Sequence, residues 1–191
     1  MSAATEILEF WFGREGKASH GKPRQEWFSK NPEFDQEMRD RFLYTYQQAA
    51  DGELDSWKSS ANSCLALVIL LDQFPRNLFR GQSQAFATDS KALETAQYGI
   101  SQSYDKEMLP VQRWFFYLPF EHSENLDHQQ QAVSLFSTLS NDPDSQSPIE
   151  YAHRHLAVIQ RFGRFPHRNS ILKRESTSEE IEFLKQPGSS F

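Results

Sequence analysis

Three short segments of this chain carry side chains able to bind or move a charge, and each is built around a Phe-Pro or Leu-Pro corner. Arg161-Phe162-Gly163-Arg164-Phe165-Pro166-His167-Arg168-Asn169 concentrates guanidiniums, an imidazole and an amide. Asp72-Gln73-Phe74-Pro75-Arg76-Asn77 repeats its aromatic-Pro-basic-Asn order upstream, and Tyr117-Leu118-Pro119-Phe120-Glu121-His122-Ser123-Glu124 is a looser third version with carboxylates beside a His. A planar guanidinium donates paired hydrogen bonds to a carboxylate or phosphate, an Asn amide adds orientation, and a His next to a carboxylate can be held in one tautomer and act as a base near neutral pH. Arg76, Asn77, Arg161, Arg164, Arg168 and Asn169, with Asp72, are therefore the candidate binding groups for a small anionic ligand. His122, Glu124 and His167 are the candidate acid–base groups. A plainer explanation stands beside this one. Each corner follows a predicted helix, where Arg and His meet the unpaired carbonyls and negative end of the dipole, and Asp72 could hold Arg76 or Arg164 in an interhelical staple.

The bulk composition narrows the partners. Of 191 residues, 20 are Lys or Arg and 26 are Asp or Glu, a net charge of −6 that argues against broad binding to nucleic acid or an anionic membrane. The charge is uneven, since Ala152 to Arg174 contains no acid yet holds Arg154, Arg161, Arg164, Arg168, Lys173 and Arg174. That stretch is the anion-facing candidate. The lone Cys64 cannot close an intramolecular disulfide, and its apolar run, Cys64 to Leu71, predicts burial. That run is far short of the roughly 20 residues a membrane span needs. With no basic region, apolar stretch and cleavage site at the amino terminus, a cytoplasmic location is expected.

Metal and cofactor chemistry have little support. His153 and His155 are two apart and aim to different sides of a helix; no His-Glu-x-x-His, Cys pair, Gly-x-Gly-x-x-Gly or phosphate loop occurs. The expectation is no metal and no cofactor, with a mixed His122, Glu124 and His155 site as the least remote metal arrangement. No Gly-x-Ser-x-Gly supplies a nucleophile, and Ser123 reads as a helix cap.

Elements that must position these groups are helical throughout. Sixteen Phe, six Tyr and four Trp make an aromatic core, in a chain rich in Glu, Gln, Lys, Arg and Ala. Ile7 to Phe12 form a short helix closed by Gly13. Asn31-Pro32 caps a second, striped by Phe34, Met38, Phe42, Tyr46 and Ala49 and ended by Gly52. A third runs from about Ser60 to Phe74, central to the core and ended by Pro75. Thr88 caps a fourth; Pro110 opens a fifth that Pro119 ends; Ser123 starts a sixth; Ser147-Pro148 opens a seventh ending at Gly163; and Thr177 with Glu180 forms a capping box for the eighth. About eight helices with modest loops predict a single all-α domain over 1–191, built from stacked antiparallel helical hairpins around one core.

Leu8-Glu9-Phe10-Trp11-Phe12-Gly13, Leu70-Leu71-Asp72-Gln73-Phe74-Pro75-Arg76-Asn77 with Arg80-Gly81 and Phe86-Ala87-Thr88-Asp89, Tyr117-Leu118-Pro119-Phe120, His122-Ser123-Glu124 and Arg161 to Asn169 form a pattern that spans Ile7 to Phe191. It resembles the bacterial domain-of-unknown-function family 924, whose members look like tetratricopeptide-type helical proteins. One departure is Lys173, where the family pattern commonly has Gly between Leu172 and Arg174. The resemblance implies a helical-repeat-like fold and supplies no activity. Two functions remain in view: a pocket protein for a small carboxylate or phosphate, whose enzyme version is a hydrolase or transferase with His122 or His167 as acid–base group, and a tetratricopeptide-like adaptor holding a peptide or protein partner.

Overall fold

The computed structural model describes residues 2–190, and the two ends of the expected domain, Met1 and Phe191, lie outside the described residues. Eight α-helices appear among the described residues: α1 (Ala3–Phe12), α2 (Pro32–Asp51), α3 (Ala61–Leu78), α4 (Asp89–Ser101), α5 (Pro110–Glu121), α6 (Leu126–Ser137), α7 (Gln146–Phe162) and α8 (Ser178–Leu184). Short 3-10 turns link several of them. Local chemistry sets most boundaries. Asn31 accepts the Phe34 N–H with Pro32 at the first helical position, Gly52 and Gly163 close α2 and α7 in left-handed geometry, and Thr177 and Glu180 complete a capping box before α8.

α3 is the hub, packed on α1, α2, α4 and α5, while α4 on α5, α5 on α6 and α6 on α7 continue the stacking of consecutive helices. Every residue from Cys64 to Pro75 is buried, which explains why this helix is apolar on nearly all sides. Trp11, Trp27, Phe34, Phe74 and Phe115 pack ring on ring around it. Arg24 reaches back from the long loop after α1 to donate to the Phe10 and Trp11 carbonyls at 2.6 and 3.0 Å, and Trp27 Nε1 also donates to Trp11 at 3.1 Å. A smaller apolar cluster of Val158, Ile159 and Phe165, with Phe162 and Phe183 against it, lies beside the main core. No helix among the described residues is long and apolar enough to cross a membrane.

Both prolines expected to end helices lie inside them. α3 runs three residues past Pro75, and α5 runs two past Pro119. Proline lacks the N–H that would serve the carbonyl four residues back, and at Pro75 that carbonyl, Leu71, accepts the Thr88 hydroxyl at 2.6 Å instead. This also corrects the expected role of Thr88, which sits at the N-cap of α4 but makes no side-chain cap. Ser123 likewise gives way to Asn125, whose carboxamide oxygen accepts the Asp127 and His128 N–H groups, so α6 starts later. The first helix begins at Ala3, with Ser2 as cap.

Gly99 is buried in α4, where an added Cβ would stand 2.6 Å from Phe116 Cε1 and 3.2 Å from Cys64 Sγ. Gly99→Ala gains about 1 kcal/mol of helix propensity but overpacks the α3–α4–α5 junction, which typically costs about 1–3 kcal/mol. A lowered urea midpoint is expected by Trp fluorescence; a raised one would mean that Phe116 moves aside freely.

Candidate functional site

Because α3 continues through Pro75, Asp72 and Arg76 stand four residues apart on one helix face, and Arg76 Nη1 lies 3.4 Å from Asp72 Oδ1 and donates to the Asp72 carbonyl at 2.5 Å. Asp72 is fully buried. Its Oδ2 accepts Gln73 Nε2 at 2.6 Å, and its Oδ1 is 2.8 Å from Nδ1 of His122, the residue that caps the C-terminus of α5. Burial alone would raise the Asp72 pKa, but Arg76, His122 and the Gln73 hydrogen bond outweigh it and bring the carboxyl down to about 2. The His122 pKa is lowered by burial first and by Arg76 second, against the pull of Asp72. The group is thus an ionised Asp72 holding a neutral imidazole by Nδ1–H, which leaves Nε2 with the lone pair.

Asp89, the first residue of α4, forks onto Arg76 at 2.8 and 3.1 Å. Arg168, in the 3-10 turn Pro166–Arg168, donates to Asp89 Oδ2 at 3.3 Å and to the His122 carbonyl at 3.0 Å. Its guanidinium lies over the rings of Phe86 and Phe165, 4.6 and 4.8 Å from their centroids. His167 packs near Phe165, and burial followed by the neighbouring Arg168 charge pushes its pKa down to about 3. Asp72, Arg76, His122 and Arg168 are thus brought together, with His167 alongside.

A second network adjoins the first. Glu124 accepts a fork from Arg174 at 2.7 and 2.9 Å and the Phe165 N–H at 2.7 Å. Asn169 links Arg174 to Glu180, accepting from one at 3.0 Å and donating to the other at 3.2 Å, and Arg164 forks onto Glu180 at 2.7 and 2.8 Å. Glu180, held by Arg164 and by the Thr177 N–H, titrates near 2. Two sequence candidates lie elsewhere. Asn77 turns to Asp35 of α2 at 2.7 Å, joined there by Arg80, and Arg161 makes an exposed pair with Glu179 at 2.8 Å. The mixed metal arrangement is not assembled: Glu124 serves Arg174, His122 serves Asp72, and buried His155 lies 2.9 Å from Glu121. Among the described residues no group of three His, Cys, Asp or Glu side chains is placed to hold a metal ion.

Sequence reasoning missed Asp89, Arg174 and Glu180 as members of these networks. The available signal was the acid-free stretch itself: with no Asp or Glu of its own, any carboxylate partners of its cations had to come from elsewhere in the chain. Lys173 takes φ 55°, the left-handed conformation glycine adopts freely, in the turn that delivers Arg174. Two surface concavities of about 350 Å³ are lined, respectively, by Lys30, Asp35, Arg39 and Arg80 with their neighbours and by Pro110, Arg113, Thr138 and Asp142 with theirs. Neither is lined by Arg76, Arg164 or His167.

A family model for bacterial proteins of unknown function, DUF924, matches residues 7–188. Among solved structures, that of a protein of unknown function, ATU0120 from Agrobacterium tumefaciens, is 41% identical, with 95% of this chain and 96% of that chain covered at a TM-score of 0.84. No curated protein matches the chain.

These titrations set the acid stability. From the ordinary His value of 6.5 downward, the unfolded chain takes up protons that folded His122 and His167 resist; below the ordinary 3.8 of Asp, it does so again relative to Asp72. The unfolded state binds more protons in both windows, so stability falls as pH falls. Urea midpoints between pH 7.5 and 3 should decline throughout, and a flat profile would contradict the assigned charges. At pH 7, Asp72→Ala leaves Arg76 short of a buried partner and should cost about 3–5 kcal/mol.

Proposed function

The chain belongs to the bacterial DUF924 family, and from its own side chains we propose that it binds a small anionic ligand beside His122, which serves as the proton-accepting group. One observation carries this reading: a fully buried carboxylate, Asp72, is bonded at 2.8 Å to the ring nitrogen of an imidazole whose side chain remains 15% exposed. Burying an ionised group is costly unless it is paired, and orienting the other nitrogen of a surface-reaching base is a use that packing alone does not need. Arg76 stands beside this imidazole, supplying positive charge for an anion while keeping His122 neutral and so able to accept a proton.

Within this reading Arg76 and Arg168 bind, and Asp72 positions His122. His167 is a second neutral imidazole in reserve. Glu124, Arg164 and Asn169 form the frame that holds the Arg168 turn against α5, whereas Asn77 and Arg161 brace α2 and α8. The tetratricopeptide-like adaptor has less in its favour. Among the described residues the exposed large apolar side chains are Phe28, Tyr44, Tyr98, Leu109, Leu126, Tyr151 and Ile181, and none of them lines either surface concavity.

Long-range proton–nitrogen NMR of the labelled protein tests the proposal. The His122 ring should carry its proton on Nδ1 at pH 7, titrate below 6.5 and respond to at least one small carboxylate or phosphate at millimolar concentration. A ring protonated on Nε2, or one indifferent to every such anion, would sink it. Asp72→Asn should redistribute the tautomers, because a neutral amide no longer selects Nδ1–H.

A further inference from the structure

Arg168 is short of hydrogen-bond acceptors. A guanidinium has five N–H donors, and the polar contacts of this one are Nη2 to the His122 carbonyl at 3.0 Å and Nη1 to Asp89 at 3.3 Å, the latter long for a charge-assisted bond. Its Nε is buried without an acceptor, in a residue only 7% exposed. A buried donor left unmade costs free energy, so such a group marks a place where an acceptor belongs. The same Phe86 ring underlies both guanidiniums, 4.6 Å from Arg168 and 5.8 Å from Arg76. These two cations and one aromatic face form a clamp, and the carboxylate shared between the cations is that of Asp89.

Asp89 is the more exposed of the two carboxylates in the site, and among the described residues its donors are the two clamp cations alone. Its side chain is 21% exposed, against 1% for Asp72, and it opens α4, where the first-turn N–H groups offer its charge an alternative resting place. Asp72 cannot play this part, being held by Gln73, His122 and Arg76 together.

We propose that a small carboxylate ligand replaces the Asp89 carboxylate on the Arg76–Arg168 clamp, and that Asp89 is a built-in competitor which closes the clamp when no ligand is bound. This rests on the anion-binding reading above and names the ligand class. A carboxylate is indicated because the group now seated there is one, in the forked geometry that guanidinium favours.

The test is a titration of the full-length labelled protein with sodium acetate at constant ionic strength, following the Arg168 Nε–H and His122 ring signals in the parent and in Asp89→Asn. The Arg168 signal should shift saturably in both, with the dissociation constant about tenfold lower in Asp89→Asn, the scale of losing one charge-assisted competitor. An unmoved Arg168 signal in both proteins, or equal affinities, overturns the proposal. Saturation by inorganic phosphate but not by acetate overturns the carboxylate class. Movement at His122 without movement at Arg168 removes the clamp and leaves the base reading standing. Movement at Arg168 alone supports the clamp and removes the base reading.

Discussion

Asp72 is an ionised carboxylate with no exposure to water in the middle of the helix on which the fold is built. Such a charge is tolerated only when every oxygen has a donor, because removing it from water costs several kcal/mol that pairing must offset. Three side chains meet the demand, and each constrains a different part of the molecule. Gln73 is local, Arg76 requires α3 to stay helical beyond Pro75, and His122 fixes the end of α5 against α3. Arg76 in turn engages Asp89 and so sets the start of α4. Three helices are registered by one buried charge.

From there the polar structure spreads as two balanced sets. Arg76 and Arg168 face Asp72 and Asp89; Arg164 and Arg174 face Glu180 and Glu124. The joint between the sets is backbone as much as side chain, since Arg168 holds the His122 carbonyl while Glu124 holds the Phe165 N–H. Such networks add little net stability when complete, yet are costly to interrupt. Their value is in specifying one arrangement of the C-terminal segment, whose own apolar cluster of Val158, Ile159 and Phe165 is small. Two groups within this frame bear on ligand binding: Arg168 Nε has no acceptor, and His122 uses only Nδ1 toward Asp72. They lie on neighbouring elements, joined by the Arg168 bond to the His122 backbone.

The fold was legible because its signals are local and periodic. Phe34, Met38, Phe42, Tyr46 and Ala49 repeat at helical spacing and are all buried on α2; Asn31, Gly52, Gly163 and the Thr177–Glu180 pair terminate helices by chemistry confined to a few residues. The prolines misled because a strong local rule met a stronger tertiary one. A helix buried along its length keeps its geometry past Pro75 when another segment, here Thr88, satisfies the stranded carbonyl. Cys64 was read correctly as buried from its apolar run.

Residue types determined that charge-binding groups, Arg76, His122, His167 and Arg168 among them, would gather at the Phe-Pro and Leu-Pro corners. Pairing was decided only by the tertiary structure. Asp89 meets Arg168 and Asp72 meets His122 across separations of 79 and 50 residues. Charge attraction falls off with distance in space and carries no memory of order along the chain, so the acids that complete the basic stretch from Ala152 to Arg174 were invisible until the helices had brought them together.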